Sequence, residues 1–205
     1  MKIIQMQVGH IGTNCYIVTC NETNQSAVID PGGNAEDILA CLKREQSNLI
    51  CIINTHGHAD HIAANNNIKQ ATGAVVMIHQ EDAAMLTSSD LNLSAYIGGG
   101  LVLDSADRLL KDGDAIQVGA IQFTVIHTPG HTPGGICLYT EGTLFSGDTL
   151  FYQSVGRTDF PGGSMGKLVN SINEKLLVLP SETKVYPGHG PETSIAWERS
   201  NNPFI

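Results

Sequence analysis

Residues 55–61 read Thr-His-Gly-His-Ala-Asp-His (THGHADH), and four of them have metal-ligand side chains: His56, His58, Asp60 and His61. The apolar run LICIIN at 49–54 comes directly before this segment and predicts a strand buried on both faces. A helix is predicted after it, over Ile62–Thr72. Open sheets place binding sites at the carboxyl ends of strands, and an extended His-x-His points both imidazoles the same way. The segment therefore predicts a metal or catalytic site, because so dense a ligand set disfavours a merely solvated turn.

Three further segments each end a predicted strand with a ligand-type residue that has glycine close by. They are TPGHTPG with His131, LFSGD with Asp148 and VYPGHGP with His189. Each is a weak signal alone, but together with THGHADH they complete a mixed set of imidazoles and carboxylates. Such a set suits zinc, iron or manganese and not calcium. Within the first segment, Gly57 is expected to let the backbone turn tightly between two histidines.

The order of predicted elements indicates two similar halves within one domain, residues 1–205. Each half begins with strands and continues with a helix; the later half has strands over Ala115–Val118, Ile121–His127, Gly135–Thr140 and Thr143–Ser146 before a helix over Met165–Leu179. We predict an α/β (α+β) fold built as a four-layer αβ/βα sandwich, with two packed sheets and helices outside. Ser88–Gly100, which ends in three glycines, is predicted to be a mobile loop.

Composition disfavours several classes of partner. The formal net charge is -9, and the 11 Lys and Arg residues are dispersed, so nucleic-acid binding is not expected. No apolar stretch approaches the roughly 20 residues of a membrane-spanning helix, and the N-terminus lacks the features of a secretory signal. The 5 cysteines form no Cys-x-x-Cys pair, which predicts buried, reduced thiols in a cytoplasmic protein.

The order THGHADH, TPGHTPG, SGD and YPGHG resembles the metallo-β-lactamase superfamily, and within it the short glyoxalase-II-like hydrolases. The segments FYQSVGRTDFPGG and NNPFI also resemble that group. The resemblance implies two divalent metal ions, with zinc expected and iron or manganese as alternatives. It assigns His56, His58 and His131 to the first ion, Asp60, His61 and His189 to the second, and Asp148 as a bridge. Asp30, in IDPGG, resembles an element that braces the metal loop and is not a ligand.

The same resemblance implies a function. A hydroxide shared by the two ions would attack the carbonyl of an S-acylglutathione such as S-lactoylglutathione, as in a hydroxyacylglutathione hydrolase. Asp60 and Asp148 are the candidate catalytic residues. Longer relatives have a C-terminal helical domain that binds the glutathione carboxylates, and this chain ends soon after His189. Arg157 and Lys167 are therefore the candidate substrate-binding residues, with Arg199 as another, although each could be an ordinary surface charge.

Several alternatives stay open. A persulfide dioxygenase is related and also has a GRTDF segment, but resembles a single-iron enzyme with YPAHDY where this chain has YPGHGP. Other hydrolases of this class act on small esters, lactones or phosphodiesters. A β-lactamase would be expected to have an export signal, and a nuclease an added domain. The alternative that is not an enzyme is a metal-binding module without turnover.

Overall fold

The computed structural model describes residues 1–97 and 99–205, and most of its strands belong to two six-stranded sheets. In chain order the strands are β1 (Lys2–Val8), β2 (Thr13–Thr19), β3 (Gln25–Ile29), β4 (Asn48–Ile53), β5 (Val75–His79), β6 (Arg108–Leu110), β7 (Ala115–Val118), β8 (Ile121–His127), β9 (Ile136–Thr140), β10 (Thr143–Gly147), β11 (Leu150–Phe151), β12 (Ser154–Val155), β13 (Lys184–Pro187) and β14 (Thr193–Ser194). The first sheet has the order β1-β2-β3-β4-β5-β6 and the second β14-β13-β10-β9-β8-β7, while β11 and β12 form a separate pair.

The α-helices lie between strands or after the last one. They are α1 (Ala35–Arg44), α2 (Ala59–Ile62), α3 (Asn65–Thr72), α4 (Met165–Ser171) and α5 (Ile195–Asn201). A π-helical turn, Ile172–Leu176, continues α4, and short 3-10 turns span Ala83–Thr87 and Ser94–Ile97. Among the residues that the structure describes, no helix is both long enough and apolar enough to cross a membrane.

Strand β2 shows how the alternation of side chains builds the layers. Cys15 and Ile17 pack into a core with residues of α1 and α3, whereas Tyr16 and Val18 point into the core between the two sheets. A third core covers the outer face of the second sheet with residues of α4, the π-helical turn and α5. The layers are therefore helix, sheet, sheet and helix, which confirms the predicted αβ/βα sandwich.

Parallel pairing brings the ligand segments to one edge of each sheet. Strands β3, β4 and β5 are mutually parallel, so the segments that follow their carboxyl ends emerge together. In the second sheet β10 pairs in parallel with β13, which brings the segments after those two strands together as well. The strands over 115–118 and 121–127 lie where the sequence predicts them.

Three predicted elements differ in the structure. The helix predicted over Met165–Leu179 is α4 followed by the π-helical turn, which ends at Leu176. The helix predicted over Ile62–Thr72 is two helices, because the chain leaves α2 where the Ala64 backbone N–H donates to the carbonyl of Pro31 (2.9 Å). The segment Ser88–Gly100, predicted as a loop, contains the 3-10 turn Ser94–Ile97. Gly98 of that segment lies outside the described residues. The 5 cysteines are free and buried, as predicted.

Candidate metal centre

The first group of ligand-type side chains comprises His56, His58 and His131. Their donor atoms lie within 4.8 Å of one another, and Nδ1 of His58 lies 3.0 Å from Nε2 of His131. His56 and His58 follow β4, whereas His131 follows β8 in the other sheet. The packing of the two sheets therefore assembles this group from segments more than seventy residues apart.

The second group comprises Asp60, His61 and His189. Nε2 of His189 lies 3.1 Å from Oδ2 of Asp60 and 3.3 Å from Nε2 of His61. Asp148 lies between the two groups, since its Oδ1 is 3.4 Å from Nε2 of His61 and its Oδ2 is 3.6 Å from Nε2 of His131. The structure thus brings all seven predicted ligand residues together, with one carboxylate facing both groups.

The chemistry of the converging atoms fits divalent cations. The Nδ1–H of His131 donates to the carbonyl of Arg157 (2.7 Å), so that Nε2 is the ring nitrogen that faces the site. Nε2 of His56 and Oδ1 of Asp148 are buried and have no hydrogen-bond partner among the residues that the structure describes. Donor atoms about 2.0–2.1 Å from a tetrahedral zinc ion are themselves about 3.3 Å apart. The shortest separations here, from 3.0 to 3.7 Å, bracket that value, and the donor atoms within each group of three all lie within 4.8 Å of one another.

Asp30 braces this arrangement from beneath and is itself 1% exposed. Its Oδ1 accepts from the Thr55 backbone N–H (2.7 Å), and its Oδ2 accepts from the Thr55 hydroxyl (2.6 Å) and from Nδ1 of His61 (3.0 Å). Because Nδ1 of His61 is held by this carboxylate, Nε2 points into the site. Asp30 therefore orients a ligand segment, in the supporting role that the sequence predicts for it.

Burial and charge set the protonation of the cluster. Burial lowers the pKa of His58 to about 3 and that of His56 well below its usual value, so both rings are neutral at pH 7. Burial also acts to lower the pKa of His61, but the carboxylates of Asp60, Asp148 and Asp30 raise it well above its usual value overall. Neutral imidazole is the form that binds a metal ion, so His56 and His58 need no deprotonation.

A cavity of about 430 Å³ opens onto the two groups. Its wall is mainly apolar, with Ile11, Leu93, Phe151, Val155 and Phe160 around His58, Asp60, His131, Asp148 and His189. Arg157 also lines the cavity; its guanidinium pairs with both carboxylate oxygens of Asp159 (2.7 Å each) and lies 4.0 Å from the centroid of the Phe160 ring. Arg157 is thus placed where the sequence predicts a substrate contact.

The other two basic candidates lie elsewhere. Lys167 lines a different cavity, along Pro129, Gly130 and Pro133, and does not line the cavity of the metal cluster. The guanidinium of Arg199 donates to the hydroxyl of Ser181 (3.1 Å) and to carbonyls at the end of the π-helical segment. The placement of Lys167 therefore argues against its predicted substrate contact, and Arg199 has a structural role.

Sequence reasoning did not identify two polar side chains next to the ligands. The Thr13 hydroxyl donates to Oδ2 of Asp60 (3.1 Å), and the buried Asp82 carboxylate accepts from the backbone N–H of Gly57 (3.1 Å). Asp82 follows the carboxyl end of β5, as the ligand segments follow their strands, and that position is the only sequence signal for it. Gly57 does not adopt a positive φ; a Cβ there would instead lie 2.5 Å from that of Met85. Close packing against Met85 therefore requires glycine at this position.

Comparison with known proteins identifies the family to which the chain belongs. A model of the metallo-beta-lactamase superfamily matches residues 8–189. The probable metallo-hydrolase YqgX of Bacillus subtilis (strain 168) is 36% identical over 208 residues, which cover 100% of this chain and 98% of YqgX. The hydroxyacylglutathione hydrolase GloC of Haemophilus influenzae is 35% identical over 213 residues, which cover 100% of this chain and 98% of GloC.

Three solved structures are similar over nearly the whole chain. The BLEG-1 B3 metallo-beta-lactamase superposes with a TM-score of 0.95 at 40% identity, covering 99% of both chains. TTHA1623 in a di-iron-bound form gives 0.89 at 35% identity, covering 98% of this chain and 100% of that one. ETHE1 from Myxococcus xanthus gives 0.83 at 31% identity, covering 99% and 84%. The motifs, the four-layer fold, the converging histidines and aspartates and these matches agree, and the chain belongs to the metallo-β-lactamase superfamily.

Proposed function

We propose that the chain is a binuclear metal-dependent hydrolase that cleaves a thioester such as S-lactoylglutathione, in the manner of a hydroxyacylglutathione hydrolase of the glyoxalase II type. The observation that supports this most strongly is the meeting of two three-residue ligand groups at Asp148 inside one cavity. The similarity to GloC over the full chain supports a glutathione-linked substrate.

In this proposal His56, His58 and His131 would hold one ion, Asp60, His61 and His189 would hold the other, and Asp148 would contribute to both. Bound divalent ions of this kind lower the pKa of a shared water and polarise a carbonyl oxygen. Zinc is the proposed ion because the mixed imidazole and carboxylate set suits it. Iron is an alternative, since the similar TTHA1623 has been solved in a di-iron-bound form.

The chain's own residues orient the donors and limit access of bulk water. Thr13 holds one oxygen of Asp60, and Asp30 fixes His61, so the second group is restrained before any ion or substrate binds. The Phe160 ring stands edge-on to His58 with 5.6 Å between centroids, and Phe151 stands 6.3 Å from His189. These rings flank the two ligand groups and give the substrate an apolar surface beside the reacting carbonyl.

A thioester suits this site because its leaving group needs little help. In the reaction, water adds its oxygen to the acyl carbon and loses its two protons to solvent, the carbon–sulfur bond breaks, and the sulfur leaves with the electron pair; the products are a carboxylate and a thiolate. A thiolate is stable near neutral pH, since thiol pKa values lie near 8.5. Asp60 and Asp148 are the proposed catalytic carboxylates, because both line the cavity; Asp148 faces both ligand groups and Asp60 belongs to the second.

A specific observation bears on each of two other activities. The likeness to the BLEG-1 B3 metallo-beta-lactamase favours β-lactam hydrolysis as a second candidate, although an amide nitrogen needs a proton to leave. A single-iron dioxygenase site would use the three histidines of the first group with Asp148. It would give no role to Asp60, His61 and His189, which converge here.

The test is an assay of the purified, metal-replete protein with S-D-lactoylglutathione, following free thiol with and without a chelator. We expect thiol release that the chelator abolishes and added zinc restores. Parallel reactions contain a β-lactam, a simple lactone, and glutathione persulfide in an oxygen electrode. Absence of thiol release together with β-lactam opening, lactone opening or oxygen uptake would contradict the thioesterase proposal and identify its replacement.

Replacing Arg157 with alanine should raise KM for S-D-lactoylglutathione and leave kcat and metal content unchanged. The guanidinium is 58% exposed, so we expect about a two- to fivefold increase, the effect of an ion pair worth about 0.5–1 kcal/mol. The contact of His131 with residue 157 is to the backbone carbonyl and survives the substitution. Lys167→Ala is the matched control, since Lys167 lines the other cavity. An equal rise in KM for both variants would refute a specific role for Arg157.

A further inference from the structure

Asp82 is a fully buried carboxylate that touches two ligand segments at once. Its Oδ2 accepts from the Gly57 backbone N–H (3.1 Å) and from the Thr132 hydroxyl (2.7 Å). Its Oδ1 accepts from the Gly134 backbone N–H (2.6 Å). Gly57 lies between His56 and His58, and Thr132 directly follows His131. One side chain thus joins the segments that supply all three histidines of the first group.

The surroundings of Asp82 are built for this contact. A Cβ on Gly134 would lie 2.7 Å from Oδ1 of Asp82, so glycine is required for the backbone to approach the carboxylate. Asp82 precedes the 3-10 turn Ala83–Thr87, yet its side chain makes no capping bond to that turn. A carboxylate that is buried costs free energy unless donors satisfy it, and here every donor belongs to a ligand segment.

Asp30 and Asp82 contact different parts of the site. Asp30 holds His61 of the second group and also Thr55, which directly precedes His56 of the first, so it contacts residues of both groups. Asp82 contacts no residue of the second group among its hydrogen-bond partners in the described chain; its partners flank His56, His58 and His131. Of the two carboxylates, Asp82 is therefore the one whose contacts are confined to the first group.

We propose that Asp82 is a positioning residue that sets the affinity of the His56, His58 and His131 group for its metal ion, without a comparable effect on the second group. This inference rests on the proposed binuclear site. Outer partners of metal ligands contribute about 10- to 100-fold in metal affinity. Each carboxylate oxygen of Asp82 accepts from a backbone N–H, one from that of Gly57 and the other from that of Gly134. An asparagine at this position would therefore place its NH₂ group against one of these two N–H donors, whichever way the amide is turned.

The test measures zinc affinity by competition with a chromophoric chelator in two backgrounds. In His189→Ala, where the second group is incomplete, adding Asp82→Asn should weaken binding of the remaining ion by about 10- to 100-fold. In His58→Ala, where the first group is incomplete, adding Asp82→Asn should change the affinity by less than about threefold. Asp107→Asn is the matched control, because Asp107 also accepts from a backbone N–H, that of Val76 (2.9 Å).

Unchanged affinity in the His189→Ala background, or equal weakening in both backgrounds, would overturn the proposal. If Asp82→Asn does not fold, Thr132→Val decides, since it removes one donor to Asp82 and should weaken binding in the His189→Ala background alone. Thr132→Ser keeps the hydroxyl, so in the same background it should bind zinc with the affinity of His189→Ala alone. A wild-type chain that binds fewer than two zinc ions contradicts the proposed binuclear site and this inference with it. Two ions in the wild type with no effect of Asp82→Asn contradict this inference alone.

Discussion

Replacing Asp148 with alanine is expected to lower thioester turnover by more than about 100-fold, beyond the loss that follows from removing an outer partner of a ligand. Asp148 faces both ligand groups, so its removal takes a donor from each proposed ion. The fold should survive, because the close polar neighbours of its carboxylate are imidazoles of the site and its Oδ1 is otherwise unpaired. The measurements are kcat, metal per chain and the free energy of unfolding.

Asp107→Ala is the control for Asp148→Ala, since its carboxylate pairs with Lys69 on the surface, outside the site. It should retain full turnover and two ions per chain. If Asp148→Ala bound two ions and turned over at the wild-type rate, the bridging assignment would be incorrect. If it lost activity only because it unfolded, the unfolding measurement would show that directly.

Replacing Gly188 with alanine should produce the second-largest effect. A Cβ at this position would lie 2.2 Å from Oδ1 of Asp148 and 2.8 Å from Cε1 of His61. The backbone cannot move aside easily, because the Gly188 N–H donates to the Gly147 carbonyl and its own carbonyl accepts from Asn14, both at 2.8 Å. The added methyl must therefore displace the Asp148 carboxylate. We expect loss of at least one bound ion and a fall in turnover of about 100-fold.

Gly166→Ala is the matched substitution, since nothing lies within 4 Å of a Cβ placed there. Gly166 lies within α4, where alanine is favoured over glycine by up to about 1 kcal/mol, so this variant should be as active as the wild type and slightly more stable. Metal analysis and thiol-release assays on both variants provide the comparison. Full metal content and full activity in Gly188→Ala would contradict the close packing described around Asp148.

The sequence predicts strands of two kinds from their patterns. A strand covered on both faces, such as β4, is a nearly continuous apolar run, whereas β7 alternates exposed and buried positions. The short helix α5 was not predicted, although Ser194 caps it by accepting from the Trp197 backbone N–H (3.2 Å). Its Glu198 is buried and accepts from the Gln153 N–H (2.9 Å), a contact 45 residues away that no local periodicity reveals.

The candidate site, like the fold, could be predicted from the sequence only in part. Its ligand-type residues could be found from sequence because each follows a strand and lies beside or near glycine, as His189 does. The support from Asp30 was predicted only through the family resemblance, and the support from Asp82 was not predicted, because Asp82 acts through residues 25, 50 and 52 positions away in the chain. Lys167 was proposed as a substrate contact from its place in the sequence. In the structure it lines a separate cavity, together with residues of the loop Pro129–Pro133.

The most direct test of the central claim is a zinc titration of the metal-stripped protein, with S-D-lactoylglutathione hydrolysis measured at each step. The proposed site predicts two ions per chain and thiol release that reaches its maximum only as the second equivalent binds. Full activity at one equivalent, or no thiol release with two ions bound, would contradict a binuclear thioesterase.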